Sequence, residues 1–396
     1  MKHKPSLSAI FITVFIDLMG FGVLIPILPT FASKDLAISD FGIGIIVAVY
    51  SLMQFLFNPV LGSLSDKYGR RPFILLSLFT TGVSYIIFSF STTFLVLLLS
   101  RMLAGIGGSN IGVAQAYIAD VTTKEERAKG MGIIGAAFGL GFVFGPMIGG
   151  ILSHYGYPVV GFASAAFSFT AFIYSFFFLP ESNLTKQKEI KINYRLIDFK
   201  KTIETIKHPD VGILVILYFI IVFSMANIYG TFSLLGYKVY SFSDRQIGYL
   251  FGIIGIVGAV VQGGLIKTLS KRFSDKSLIV SGAFLMMIGL GLLPYGGTFS
   301  GVAMVAIVLG FGTAISQPVI LGLISKLTSE KEQGSILGMN SSLGAFARVM
   351  GPLWGGFAFQ FFGYQFPFLT GALFTLITFL LTLFFVKTNK TLIEQE

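Results

Sequence analysis

Long apolar segments separated by short polar ones dominate the pattern of this chain. Charge-free runs occupy residues 41–65, 72–100, 130–180, 211–237, 246–266, 277–325 and 349–386. A helix needs about 20 apolar residues to cross a bilayer, so the longest runs hold two spans each, divided at turn-forming clusters such as His154 to Pro158. Twelve membrane-spanning helices are predicted, at about 8–29, 41–61, 73–91, 95–118, 131–153, 158–179, 211–233, 247–266, 278–294, 301–324, 335–359 and 365–386.

The longest polar stretch, residues 181–210, has six predicted spans before it and six after it. We therefore predict an N-terminal six-helix bundle in residues 1–180, a cytoplasmic linker in 181–210 and a C-terminal six-helix bundle in 211–396. A shift of 206 residues aligns Gly145-Pro146 with Gly351-Pro352 and indicates an internal repeat. The predicted fold class is an all-α integral membrane protein with two bundles of like topology.

Composition and charge placement agree with this assignment. Only 12% of residues are charged and 54% are hydrophobic, whereas soluble domains carry about 25% charged residues. If loops alternate sides, 23 of the 28 Lys and Arg residues share the side of both termini and only three lie opposite. The positive-inside rule then predicts cytoplasmic termini and a lipid bilayer as partner, so the net charge of +10 requires no nucleic acid.

The polar segment after span 2 combines two glycines, an acid and paired arginines, which are Gly62, Asp66, Gly69, Arg70 and Arg71. Glycines permit a tight turn or a close approach of another backbone, and a carboxylate is favoured at a helix N-terminus. The arginines are within reach of an acid such as Asp120, which follows span 4. The alternative is a basic loop that only fixes topology.

Span 5 has a regular series of glycines with one proline, namely Gly141, Gly145, Pro146, Gly149 and Gly150. Glycines four residues apart share one helix face and let another backbone approach closely, while the proline removes one backbone hydrogen bond. This face is interpreted either as static packing or as a surface that slides during transport.

Only three charged residues lie well inside the predicted spans, and each is a functional candidate. Asp17 is expected about 14 Å deep and Arg101 about 20 Å from the same membrane face. The two could form a structural pair, or Asp17 could alternate between a protonated state and contact with Arg101 or substrate. Arg348 in span 11 is either structural glue or a substrate contact.

Amide side chains within spans are further candidates for a substrate cavity, because each must find a polar partner. They are Gln54, Asn58, Asn110, Gln115, Asn227, Gln262, Gln317 and Asn340.

The motifs resemble those of the major facilitator superfamily, whose signature Gly-x-x-x-Asp-x-x-Gly-Arg-Arg is complete from Gly62 to Arg71. Arg101-x-x-x-Gly105 resembles the fourth-helix motif, and Gly141 to Gly150 resembles the antiporter motif. The chain is most similar to drug:proton antiporters that include the tetracycline efflux proteins.

This resemblance implies proton coupling at Asp17 and Arg101, a conformational gate at the Gly62–Arg71 segment with Asp120, and a hinge at the span 5 glycines. It also implies a monomer in a bacterial inner membrane that exports small, mostly hydrophobic compounds by proton antiport. Spans 3, 8 and 9 lack the acids and the histidine of the tetracycline exporters, so tetracycline itself is not implied.

Other functions stay open at this stage. The alternatives are an exporter or facilitator of an anionic metabolite, siderophore, sugar or lipid-like compound, or else a channel or a membrane enzyme. No Gly-Lys-Ser/Thr phosphate loop occurs in the sequence, so ATP is not the direct energy source. With no cysteine and three scattered histidines, we expect no metal or other cofactor, only a proton gradient.

Overall fold

The computed structural model describes residues 7–123, 127–182, 205, 208, 210–328 and 330–386. Within these residues all regular structure is helical. Eleven helical segments of the described residues are long and apolar enough to cross a membrane. The twelfth expected span, span 11, is the helix Glu330–Phe361, which is less apolar because it carries Arg348, Asn340 and several glycines. The predicted all-α membrane fold is confirmed.

Two compact units divide the chain, one formed by Met1–Leu196 with Phe242–Gly252 and the other by Ile197–Ser241 with Ile253–Glu396. In the first unit, spans 1 to 6 are formed by the helices Leu7–Leu24 with Ile27–Lys34, Asp40–Tyr68, Arg70–Ser89, Phe94–Gly107 with Asn110–Val121, Arg127–Leu152 and Tyr157–Phe178. The unit also contains the beginning of span 8.

Spans 7 to 12 are formed by the helices Val211–Leu234, Asp244–Val260 with Ile266–Arg272, Asp275–Leu292, Phe299–Lys326, Glu330–Phe361 and Phe366–Phe385. Single π turns at Leu235–Val239 and Val261–Leu265 extend spans 7 and 8. The predicted linker lies mostly outside the described residues, which omit 183–204.

Two predicted boundaries are wrong. The segment expected as a loop between residues 61 and 73 is helical except at Gly69, because the charged ends of spans 2 and 3 continue as helix past the apolar run. Span 4, expected to be one helix, is two helices that meet at Gly108 and Ser109. This break places Asn110 at the start of a helix, where its side chain points to span 1.

The packing of the first unit is centred on span 1, which lies against spans 5 and 6. Small residues make this contact possible, because Gly20 lies against Ser164 and Gly22 against Gly141. Buried hydroxyls mostly bond to their own helix, as Thr13 Oγ1 does to Ala9 O at 2.9 Å. The close helix packing brings polar side chains of spans 4 and 6 to Asp17.

Candidate functional site

Asp17 is a buried acid whose carboxylate is held by two neutral side chains. Asp17 lies in the middle of the helix Leu7–Leu24 and is 8% exposed. Asn110 Nδ2 donates to Asp17 Oδ2 at 2.9 Å, and Ser168 Oγ donates to Asp17 Oδ1 at 3.2 Å. Asn110 was predicted as a cavity residue, and its partner is the acid itself.

This arrangement suits a carboxyl group that changes its protonation state. A carboxylate only accepts hydrogen bonds, whereas a carboxylic acid also donates one. The serine hydroxyl accepts as well as it donates, and an amide flip offers an oxygen in place of the nitrogen. Both forms of Asp17 therefore have hydrogen-bond partners in Asn110 and Ser168 without movement of a helix.

The predicted contact between Asp17 and Arg101 is absent from this conformation. Arg101 is 3% exposed, donates from Nη2 to Ser100 Oγ at 3.0 Å, and lies 5.5 Å from the ring centroids of both Tyr85 and Phe88. Among the described residues no carboxylate lies within 4 Å of its guanidinium. Residue spacing predicts the depth of each group in the membrane but not the rotation of its helix. The aromatic rings of span 3 lie at the guanidinium in place of the acid.

Tyr85 lies beside Arg101 and not in a hydrogen bond with Asp17. Its side chain is almost fully buried, and its ring faces the Arg101 guanidinium. Tyr85 and Ser168 were not predicted as site residues, because a tyrosine or serine within a span is usually a packing residue. No periodic signal distinguished them from the other hydroxyl residues.

The remaining amide candidates take several different positions. Gln54 Nε2 donates to Tyr50 Oη at 3.0 Å and to Gly108 O at 2.9 Å, so it stabilises the break in span 4. Asn227 Nδ2 donates to Pro367 O and joins spans 7 and 12. Gln317 is half-buried, and Asn340 is fully buried. The exposed amides are Asn58, Gln115 and Gln262.

The predicted gate residues form a charge network around Arg70. The guanidinium contacts Asp66 Oδ1 at 2.5 Å through Nη1 and Asp120 Oδ2 at 3.1 Å through Nε. Ser65 Oγ accepts a bond of 2.8 Å from the same Nη1. The sequence grouped Arg70, Asp66 and Asp120, and the structure brings all three together.

Glu181 also belongs to this network, although the sequence did not predict it there. Its carboxylate accepts from the backbone N–H groups of Arg70 at 2.7 Å and Arg71 at 3.2 Å, at the start of span 3. Gly69 precedes them with φ of +108°, and a Cβ on it would collide with the Glu181 carboxylate. A distant acid thus takes the place of the missing side-chain cap.

The other two members of the motif behave differently from the prediction. Arg71 does not bridge to an acid among the described residues, since its Nη2 donates to Phe176 O at 2.5 Å. A Cβ on Gly62 would meet no atom within 4 Å, so the close approach expected there is absent in this conformation.

The glycine series of span 5 serves two different contacts. A Cβ on Gly141 would lie 2.9 Å from Leu18 Cβ, one on Gly145 would lie 2.6 Å from Gly22 Cα, and one on Gly149 would overlap Val23 O. These three positions form the seam with span 1. Gly150 instead lies against the backbone of Asp244, and Pro146 O lies against Gly248, both at the start of span 8 within the first unit.

No group of three or more His, Asp or Glu side chains in the described ranges is placed to hold a metal ion. The contacts at Arg70 are charge contacts, and those of the span 5 glycines are packing contacts.

Comparison with known proteins gives consistent matches over almost the whole chain. The family model described as the Major Facilitator Superfamily matches residues 10–305 and 263–396. Tetracycline resistance protein class C of Escherichia coli is 30% identical over 89% of this chain and 89% of its own length. Multidrug resistance protein 2 of Bacillus subtilis is 28% identical over 93% of this chain and 92% of its own.

Solved structures show the same similarity. The human organic anion transporter MFSD10 (TETRAN) is 25% identical, has a TM-score of 0.72 and aligns over 95% of this chain and 98% of its own. A nucleoside transporter, NupG, has a TM-score of 0.80 at 14% identity over 96% of this chain and 100% of its own. The latter similarity concerns the fold alone.

Proposed function

The chain belongs to the major facilitator superfamily and is a multi-pass membrane transporter of small molecules rather than an enzyme; on that premise we propose that it exports small, mostly hydrophobic compounds in exchange for protons. Alternating access is the mechanism we assign to it. The proton gradient is the energy source, and no other cofactor takes part.

The observation that carries this proposal is the environment of Asp17. An acid inside a span is costly and marks a functional site. In the described residues this one has no cationic partner, and its two neutral neighbours have donors and acceptors for both of its protonation states. A permanent ion pair would resist protonation, whereas this site binds and releases a proton when its access to water changes.

The relatives support the substrate class. The matched bacterial proteins are named for resistance to tetracycline or to multiple drugs. We extend export to this chain, and the bacterial relatives support an inner-membrane location. The excess of basic residues supports cytoplasmic termini, and the tight packing within each bundle is compatible with a functional monomer.

Proton coupling is tested in liposomes that contain the purified protein and carry an imposed pH gradient. A panel of fluorescent hydrophobic compounds serves as substrate. Asp17→Asn keeps the size of the side chain but cannot titrate, so gradient-driven accumulation should fall to the background of empty liposomes. Downhill exchange of the same compound should continue.

The matched control is Asp35→Asn, which removes an exposed acid at the end of span 1 and should leave accumulation unchanged. Asp17→Glu should restore part of the driven transport. If folded Asp17→Asn protein accumulates substrate at the wild-type rate, Asp17 is not the coupling site.

A further inference from the structure

Arg348 is a cation within span 11 that lacks the partner such a residue needs. Arg348 lies on the helix Glu330–Phe361 and is half-buried. Among the described residues, no carboxylate lies within 4 Å of its guanidinium, and no acceptor forms a hydrogen bond with it. A guanidinium inside a membrane span normally pairs with an acid or with backbone carbonyls, or contacts a ligand. The described part of the second unit provides neither of the first two.

The immediate neighbours of Arg348 come from span 7. Tyr218 lies beside it, and Tyr229, about three turns further along Val211–Leu234, is close enough for its phenol to be affected by the charge of Arg348. Gly344 lies one turn before Arg348, and a Cβ there would be 3.0 Å from Tyr218 Cε1 and 3.7 Å from Arg348 Nη1. The guanidinium and the phenol ring therefore share the space that the missing side chain of Gly344 leaves open.

A second unsatisfied polar group lies on the same helix face. Asn340 is two turns before Arg348 and fully buried, and neither its Oδ1 nor its Nδ2 has a hydrogen-bond partner. Positions 340, 344 and 348 are four residues apart, so they follow one face of the helix. A buried amide without partners is costly, and two such polar groups on one face indicate a place where something else binds.

The donors on this face favour a negatively charged ligand. A guanidinium offers several N–H donors in a planar fork that fits two oxygens of a carboxylate, and tyrosine hydroxyls and an amide add further donors. We infer that Arg348 and Asn340 of span 11, together with Tyr218 and Tyr229 of span 7, bind the carboxylate of an amphipathic organic anion. This inference rests on the proposed export function and names its substrate class.

The probes that test this inference differ only in charge. Naphthalene-2-carboxylate and naphthalene-2-carboxamide have the same ring system, but the first is an anion and the second is neutral. Their binding to the purified full-length protein in lipid nanodiscs is measured by calorimetry without any gradient. Wild-type protein should bind the carboxylate at least about tenfold more tightly than the amide.

Arg348→Lys keeps the charge but loses the fork, so it should weaken carboxylate binding about tenfold and leave amide binding unchanged. Arg348→Gln should remove the preference for the anion altogether, and Tyr218→Phe should reduce it by a smaller factor. The matched control is Arg272→Lys, an exposed arginine at the end of span 8, which should bind both probes like wild type. Unchanged thermal unfolding of each variant establishes that the fold is intact.

Three results would overturn the inference. They are equal wild-type affinity for the two probes, no binding of the carboxylate, or an Arg348→Lys variant that loses affinity for both probes by the same factor. The last result would assign Arg348 to the scaffold. Because binding is measured without a gradient, the outcome is independent of proton coupling. Arg348-dependent binding of the carboxylate without driven transport would contradict the export proposal and leave the anion site in place.

Discussion

The two units pack their central helices in the same way but differ in charge. In the first unit, Gly145 and Gly149 of span 5 lie against Gly22 and Val23 of span 1. In the second unit the glycines 206 positions later contact span 7 in the same manner: a Cβ on Gly351 would lie 2.7 Å from Ala226 Cβ, and one on Gly355 would overlap Asn227 O. The repeat seen in the sequence is therefore also a repeat of helix contacts.

The polar groups beside these seams do not repeat. The first unit has Asp17, which is satisfied by two hydrogen bonds, whereas the second has Arg348 without an acidic partner among the described residues. Close helix packing tolerates only small residues, so the seams of both units kept their glycines. The charged positions are not bound by this packing requirement, and they differ between the two units.

The largest expected effect comes from filling the seams. Gly149→Ala and Gly355→Ala each place a methyl group against a backbone carbonyl, of Val23 and of Asn227 respectively. Each variant should lose about 1–3 kcal/mol of stability through overpacking, measured by thermal unfolding in detergent. Similar losses in the two units would confirm that the seams are equivalent.

The controls for this experiment are the aligned positions Gly132 and Gly338, where an added Cβ meets no atom within 4 Å. Alanine is favoured over glycine in a helix by up to about 1 kcal/mol, so Gly132→Ala and Gly338→Ala should be neutral or stabilising. If all four variants unfold at the same temperature, the close contacts do not contribute to stability.

The spans and the glycine seam were predictable from the sequence because apolar length and residue spacing are local properties. The partner of Asp17 was not, since a rise of about 1.5 Å per residue gives depth while leaving the rotation of each helix undefined. Ser168 gave no signal, because serines in spans usually bond to their own backbone. Glu181 gave no signal either, because its role depends on a fold that brings it back to Arg70 N, 111 residues earlier in the chain.

A smaller loss of stability is expected at two helix starts, one in each unit, where an acidic side chain makes a stabilising contact. Glu181→Ala removes the only side-chain acceptor described for the N–H groups of Arg70 and Arg71, so it should cost about 1 kcal/mol. In the second unit, Asp275 Oδ2 pairs with Lys326 Nζ at 2.8 Å, but the lysine side chain is 59% exposed. Lys326→Ala should therefore cost less, between about 0 and 1 kcal/mol.

Thermal unfolding of the two variants side by side measures this difference in stability, and the difference should increase in 0.5 M salt. Salt screens the exposed Lys326 pair more than the partly buried Glu181 contacts. If Lys326→Ala loses more stability than Glu181→Ala, Glu181 is not the cap of span 3.

The smallest effect is expected at the opposite end of the first unit, where Tyr157 Oη donates to Asp244 Oδ2 at 3.0 Å. This bond ties the start of span 6 to the start of span 8, next to the contact of Gly150 with Asp244 O. Because Asp244 is only half-buried, water replaces the lost donor in Tyr157→Phe, and the cost should be about 0.5–1 kcal/mol. The neighbouring Tyr155 is 69% exposed, so Tyr155→Phe is the matched control and should unfold like wild type. If the two phenylalanine variants have the same midpoint of thermal unfolding, the hydrogen bond adds nothing and the backbone contacts of span 5 alone hold the beginning of span 8.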